Sequence, residues 1–153
     1  MENERKTDRS ADMGMDEHRL SDILLASQIK ATDIYETPPQ IIWIDNSTIA
    51  TLGNFSASTG KAKSKKTFNV SALVAASLAG KQVLNYRAHL PEGKQRILYV
   101  DTEQSRFHCR SVLERILRLA GLPTTTDPEN LDFFCLREYS PSVRVEVIDY
   151  ALR

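Results

Sequence analysis

Cysteine is scarce in this chain. Two residues, Cys109 and Cys135, among 153 are too few for a disulfide scaffold and have no metal-ligand spacing. They read as reduced thiols that help pack a helix and a strand. Long apolar runs are missing as well, and nothing approaches the roughly 18 hydrophobic residues that a membrane span needs. The charged N-terminus lacks the apolar segment of a secretory signal, so the expected location is the cytoplasm and no membrane partner is expected. No internal repeat is visible. His18, His89 and His108 fall at no ligand or catalytic spacing and receive no role.

Charge is balanced in sum and uneven in place. Residues 1–59 carry 5 basic and 10 acidic side chains, residues 60–100 carry 8 and 1, and residues 101–153 carry 7 and 9. A basic block of this kind is the footprint expected for a polyphosphate or a nucleic-acid backbone. With 41% hydrophobic and 26% charged residues, the composition is that of a folded globular domain.

Inside the basic block, residues 60–67 read Gly-Lys-Ala-Lys-Ser-Lys-Lys-Thr. This is the G-x-x-x-x-G-K-[ST] phosphate loop with its second glycine replaced by Lys65. Such a loop curls a run of backbone N–H groups around phosphate oxygens at a helix N-terminus, where the free amides and the macrodipole favour negative charge. Gly60, Lys61, Ala62, Lys63, Ser64, Lys65, Lys66 and Thr67 are therefore the candidate nucleotide-binding residues. Lys66 would reach the β- and γ-phosphates, and the Thr67 hydroxyl would hold Mg²⁺, a cation that takes oxygen ligands. The second glycine normally gives the backbone freedom to curl. Lysine fits there if the local φ is negative and its side chain points outward, adding positive charge around a polyanion. The competing reading is a solvated basic turn before a helix.

Arg96 to Glu103 reads Arg-Ile-Leu-Tyr-Val-Asp-Thr-Glu. Four consecutive apolar residues argue for a strand buried on both faces, as in a parallel sheet covered by helices. Ligands in such sheets sit beyond the carboxyl ends of the strands, where Asp101, Thr102 and Glu103 would emerge. A carboxylate there can orient a water for attack on a γ-phosphate. Equally, Asp-Thr-Glu can simply cap the next helix.

The remaining elements follow from periodicity. Residues 1–18 alternate acids and bases with few apolar groups and read as a disordered tail. Residues 19–36 read as a short amphipathic helix and linker, with Leu20, Ile23 and Leu24 at helical spacing, and the Thr37-Pro38-Pro39 break marks a domain boundary. From residue 40 onward we expect strands at 41–44, 49–52 and 55–59, the last leading into the loop, a helix at 66–79 ended by Gly80, and a solvated insertion at 82–95. A strand at 96–103, a helix at 105–120 ended by Gly121 and Pro123, a strand at 131–136, and a helix opening at Ser140-Pro141 complete the series. The second expected strand would form a platform under the adenine or the edge of the sheet. Alternating strands and helices predict an α/β domain, a mostly parallel sheet covered by helices.

The segments 56–68 and 96–103 together resemble the RecA-like P-loop ATPases, in particular ring helicases of the plasmid RepA and DnaB type and relatives from mobile elements. The resemblance covers about residues 45–153. It implies that Glu103 is the catalytic base, that Lys66 is the catalytic and phosphate-binding lysine, and that Thr67 binds the metal. It also implies ATP and Mg²⁺ as cofactors, and a homo-oligomeric ring acting on single-stranded DNA. The chain holds about half of such a core. The strand with the Walker B aspartate and the DNA-contacting loops would then belong to a C-terminal half beyond Arg153, so the full-length protein would be the Mg²⁺-dependent ATPase and helicase. Two other readings stay open: a nucleotide-responsive module that binds DNA or a partner without hydrolysis, and a small-molecule kinase.

Overall fold

A computed structural model of the chain describes residues 16–61 and 64–153. It divides into two compact units, Met1–Thr37 and Pro38–Arg153. Of the expected N-terminal tail, residues 1–15 lie outside the described residues. The first unit contains helix α1 (Glu17–Ser27), capped by Asp16, whose carboxylate accepts the His18 N–H. It starts before Arg19 and stops before Lys30, the bounds that its helical spacing predicts. Its apolar residues Leu24 and Leu25 are exposed.

The second unit is α/β. Strands β1 (Gln40–Ile44), β2 (Ser47–Thr51) and β3 (Tyr86–Ala88), with helix α2 (Lys66–Ala79), form its first part. Strands β4 (Ile97–Asp101) and β5 (Leu131–Cys135), with helices α3 (Arg106–Ala120) and α4 (Pro141–Ala151), complete it. Where one mostly parallel sheet was expected, there are two small ones. An antiparallel sheet has the order β2-β1-β3, and a parallel pair joins β4 to β5. Two residues, Asp45 (φ 50°) and Asn46, turn β1 into β2, and a positive φ is what a tight hairpin requires of its first turn residue. The 49–52 segment is thereby an edge strand. β3 was missed altogether: the expected insertion pairs with β1 through Ile42–Ala88, Trp43–Arg87 and Ile44–Tyr86, and buries Tyr86 and Ala88.

The other correction concerns residues 55–59. They form no strand, and Phe55 is almost wholly exposed. β4 therefore has β5 as its single ladder partner among the described residues, and its apolar residues 97–100 are half-buried rather than covered on both faces.

Small side chains bring the helices together. Ala72, Ala75 and Ala76 of α2 have no exposed surface, and this stripe lets α3 approach closely enough to bury Ile116 and Leu117 completely. Interdigitation of this density is what makes core volume changes costly. α3 ends in a Schellman motif, with Gly121 (φ 78°) donating to the Arg118 carbonyl and Leu122 to that of Leu117. α4 opens at Ser140-Pro141 as the sequence dictates. It is tied to the end of β5 by the Arg144 guanidinium, which donates to the carbonyls of Leu136 and Arg137.

Candidate functional site

The N-terminus of α2 is an incomplete structure in hydrogen-bonding terms. The first helical N–H groups need acceptors from outside the helix, yet the N-cap residue, Lys65, offers no side-chain acceptor and the first turn contains no acid. Its carbonyl takes the N–H groups of Phe68 and Asn69, both at 3.0 Å. Among the described residues, the Lys66 and Thr67 N–H groups find no acceptor. Positive partial charge from the helix is thus left facing the loop.

The loop folds over this end and is closed by its own lysine. The Lys66 ammonium donates to the Gly60 carbonyl at 2.6 Å and to the Lys61 carbonyl at 3.1 Å. The Ser64 N–H donates to the same Lys61 carbonyl at 3.2 Å. Gly60 lies against Ser64: a Cβ there would stand 2.7 Å from Ser64 Oγ, 3.4 Å from Ser64 Cβ and 3.9 Å from Lys66 Cδ, so a larger residue requires the Ser64 side chain to turn aside. Thr67 is exposed, and its hydroxyl makes no hydrogen bond among the described residues. Ala62 and Lys63 lie outside the described residues.

Lys65 departs from the condition under which a lysine fits easily. Its φ of 60° and ψ of 24° place it in the left-handed region, which costs a residue with a Cβ about 1–2 kcal/mol. The motif's second glycine is thus missing at the position whose backbone calls for it. The lysine side chain is nonetheless exposed.

At the end of β4, the two acidic residues have different jobs. Asp101 is buried, and its carboxylate accepts the N–H groups of Glu103 and Gln104 at 2.9 and 2.7 Å and the Gln104 side-chain amide at 2.8 Å. It builds the turn that leads into α3 but does not cap the helix, whose N-cap is Ser105 and whose own N–H groups receive no side-chain acceptor. Glu103 is exposed, and among the described residues its carboxylate joins no hydrogen bond or ion pair. Gly60, Lys61, Ser64 and Lys66 are brought together, whereas nothing among the described residues bonds Glu103 to them.

Behind this turn, both thiols converge on one atom. Cys109 Sγ and Cys135 Sγ donate to the Gln104 carbonyl at 3.8 and 3.4 Å. Both are free, one on α3 and one on β5, in the packing role expected of them. Burial, with help from the neighbouring Cys135 thiol, pushes Cys109 up to about 12. It is a packing group and not a nucleophile at neutral pH.

Sequence reasoning missed one arrangement, the pairing of Trp43 on β1 with Arg87 on β3, whose guanidinium lies 4.6 Å from the indole centroid. Tyr86 and Ala88 are buried and Arg87 between them is exposed, but three residues are too few for that alternation to be read from the sequence. In comparison with known proteins, no family model, curated sequence or solved structure matches this chain.

Proposed function

We propose that the chain binds Mg²⁺-ATP through residues 60–67 and serves a RecA-like ATPase that acts on DNA, of the ring-helicase kind. The observation that carries this reading is the closed loop: an ammonium held on loop carbonyls at the end of a helix whose own amides face it. The donors suit a triphosphate in kind. Amides of Lys66 and Thr67, the Lys66 ammonium and the lysines around them all favour an anion, and a phosphate can replace the two carbonyls that Lys66 now contacts. Thr67 offers Mg²⁺ one hydroxyl oxygen. No group of three His, Cys, Asp or Glu residues among the described residues forms a metal site, so the ion would rely on nucleotide phosphates and water for its other ligands, as Mg²⁺ commonly does. Positioning and charge neutralisation supply the catalysis in such sites, with Glu103 as the group that orients water.

Titration calorimetry of Mg²⁺-ATP into the wild-type chain and into Lys66→Ala tests the binding step. Saturable heat in the first and at least a tenfold weaker interaction in the second are expected, about the loss of one charge-assisted contact. No heat with the wild type, or equal affinity in both, overturns the reading.

The free state of Glu103 and the left-handed Lys65 favour a second reading, a module that binds nucleotide and responds to it without hydrolysis. Phosphate release separates the two. Turnover above the uncatalysed rate belongs to the ATPase alone.

A further inference from the structure

We propose that the face formed by β1, β3 and the C-terminal end of α2 binds single-stranded nucleic acid, with a base stacked on the Trp43–Arg87 pair. This site lies at the opposite end of α2 from the phosphate loop. The helix has 14 residues, so about 21 Å separate the two, too far for one nucleotide to occupy both.

Three clefts run into one another here. The central one, about 370 Å³, is lined by Trp43, Lys81, Arg87 and His89 among others. It shares Gln82 and Arg87 with a second of about 330 Å³ that includes Asn46 and Asn85. It shares Gly80 and His89 with a third of about 320 Å³ that reaches Gln95 and Asn130. A shallow continuous trough suits an extended chain better than a compact small molecule. Its cationic lining, Lys81 and Arg87, with the His89 imidazole beside them, is opposed by a single acid among the lining residues, Asp45, at one end.

The chemistry of the lining points to nucleic acid rather than to an acidic peptide. An acidic peptide needs only charge. Here a planar guanidinium covers one indole and forms no ion pair among the described residues. Aromatic and guanidinium planes are the surfaces on which unpaired bases stack, and flanking cations hold the backbone. Asn46, Gln82, Asn85 and Gln95 add donors and acceptors suited to base edges. Lys81 lines the central cleft, and its ammonium lies at the C-cap of α3, 3.7 Å from where a Cβ on Gly121 would stand.

Trp43 is the one tryptophan of the chain, which makes the test specific. Oligo(dT) of about 16 nucleotides is titrated into the full chain at low salt without nucleoside triphosphate, and Trp43 emission and the anisotropy of a labelled oligonucleotide are both followed. Binding with quenching of Trp43 is expected. Arg87→Ala should weaken it about tenfold or more and abolish the quench. Lys81→Ala should retain the quench and flatten the salt dependence by about 0.7 in log–log slope. Lys61→Ala, in the phosphate loop, should change neither. Circular dichroism verifies that each variant is folded. The proposal falls if oligo(dT) fails to bind, if it binds without altering Trp43, or if Lys61→Ala removes binding while Arg87→Ala leaves it intact. A duplex that binds as tightly as the single strand also overturns it. The assay contains no ATP, so its failure and a failed ATP titration are separate results.

Discussion

Lys66 holds the carbonyl of Gly60, six residues behind it, at 2.6 Å. The side chain that would meet a phosphate thus already has an acceptor, supplied by the loop's own backbone. Binding an anion is an exchange of partners, and the net gain is smaller than a bare ammonium would give. The exchange favours phosphate because two neutral carbonyls give way to charged oxygens, and hydrogen bonds to ionised partners are about twice as strong. A sulfate or a single phosphate offers less of this than a triphosphate does.

Lys65 makes a first prediction from backbone geometry. A residue with a Cβ at φ 60° costs about 1–2 kcal/mol, while a glycine there costs about 0.4–1 kcal/mol through the greater freedom of the unfolded chain. The first effect is the larger. Lys65→Gly should stabilise the protein by about 0.5–1 kcal/mol, raising the melting temperature by about 1–4 °C. Differential scanning calorimetry measures this. A lower melting temperature would mean that the lysine is not held in the left-handed region.

Asp101 supports a second. Its buried carboxylate takes three hydrogen bonds, two of them from backbone N–H groups at the turn into α3. Asp101→Ala leaves those donors without a partner and should cost about 1–3 kcal/mol in urea unfolding. Asp101→Asn keeps one carbonyl oxygen for the two backbone donors and should cost less. Equal losses in the two variants would show that the charge matters and the acceptor geometry does not.

Much of this fold was legible because its local signals agree. α2 and α3 end at Gly80 and Gly121, both left-handed, and α4 begins at Pro141 with Ser140 before it. The failures have a common cause: strand partners distant in sequence. Tyr86-Arg87-Ala88 is too short to announce a strand, and it is one because β1 lies beside it. Residues 55–59 offer only Phe55 and Thr59 as β-formers, and they join no ladder among the described residues. The loop's closeness at Gly60 was readable from its motif. The sign of φ at Lys65 was not, since a lysine gives no hint of the left-handed region.

Cys109 yields a prediction in alkali. Burial, then the Cys135 thiol, raises it from an ordinary 9.0 to about 12. Because the folded value lies above the unfolded one, the unfolded chain loses the proton first, and the stability linked to this thiol is intact below pH 9 and declines up to about pH 12. Tyr99, raised by burial and by Asp101, acts in the same direction. Urea midpoints across that range should therefore fall more steeply in the wild type than in Cys109→Ala. Parallel curves for the two proteins would remove Cys109 as the cause.

Glu103 carries the prediction that bears most directly on chemistry, and it rests on the proposed ATPase reading. The residue follows the end of β4 with its N–H bound to Asp101 and its carboxylate exposed. A structural role for that carboxylate would show itself in stability, and none is expected, since it has no partner to lose among the described residues. Glu103→Gln should therefore melt within about 0.5 kcal/mol of wild type, as surface substitutions generally do. It should also bind Mg²⁺-ATP with unchanged affinity, because the phosphate contacts come from residues 60–67. Turnover should fall by about 10²–10⁴, the contribution of a positioned base. Calorimetry and phosphate release, run on the same preparation, separate these effects. Equal turnover in wild type and Glu103→Gln would take the water-orienting role away from Glu103, while leaving the affinity of the loop for ATP a separate matter.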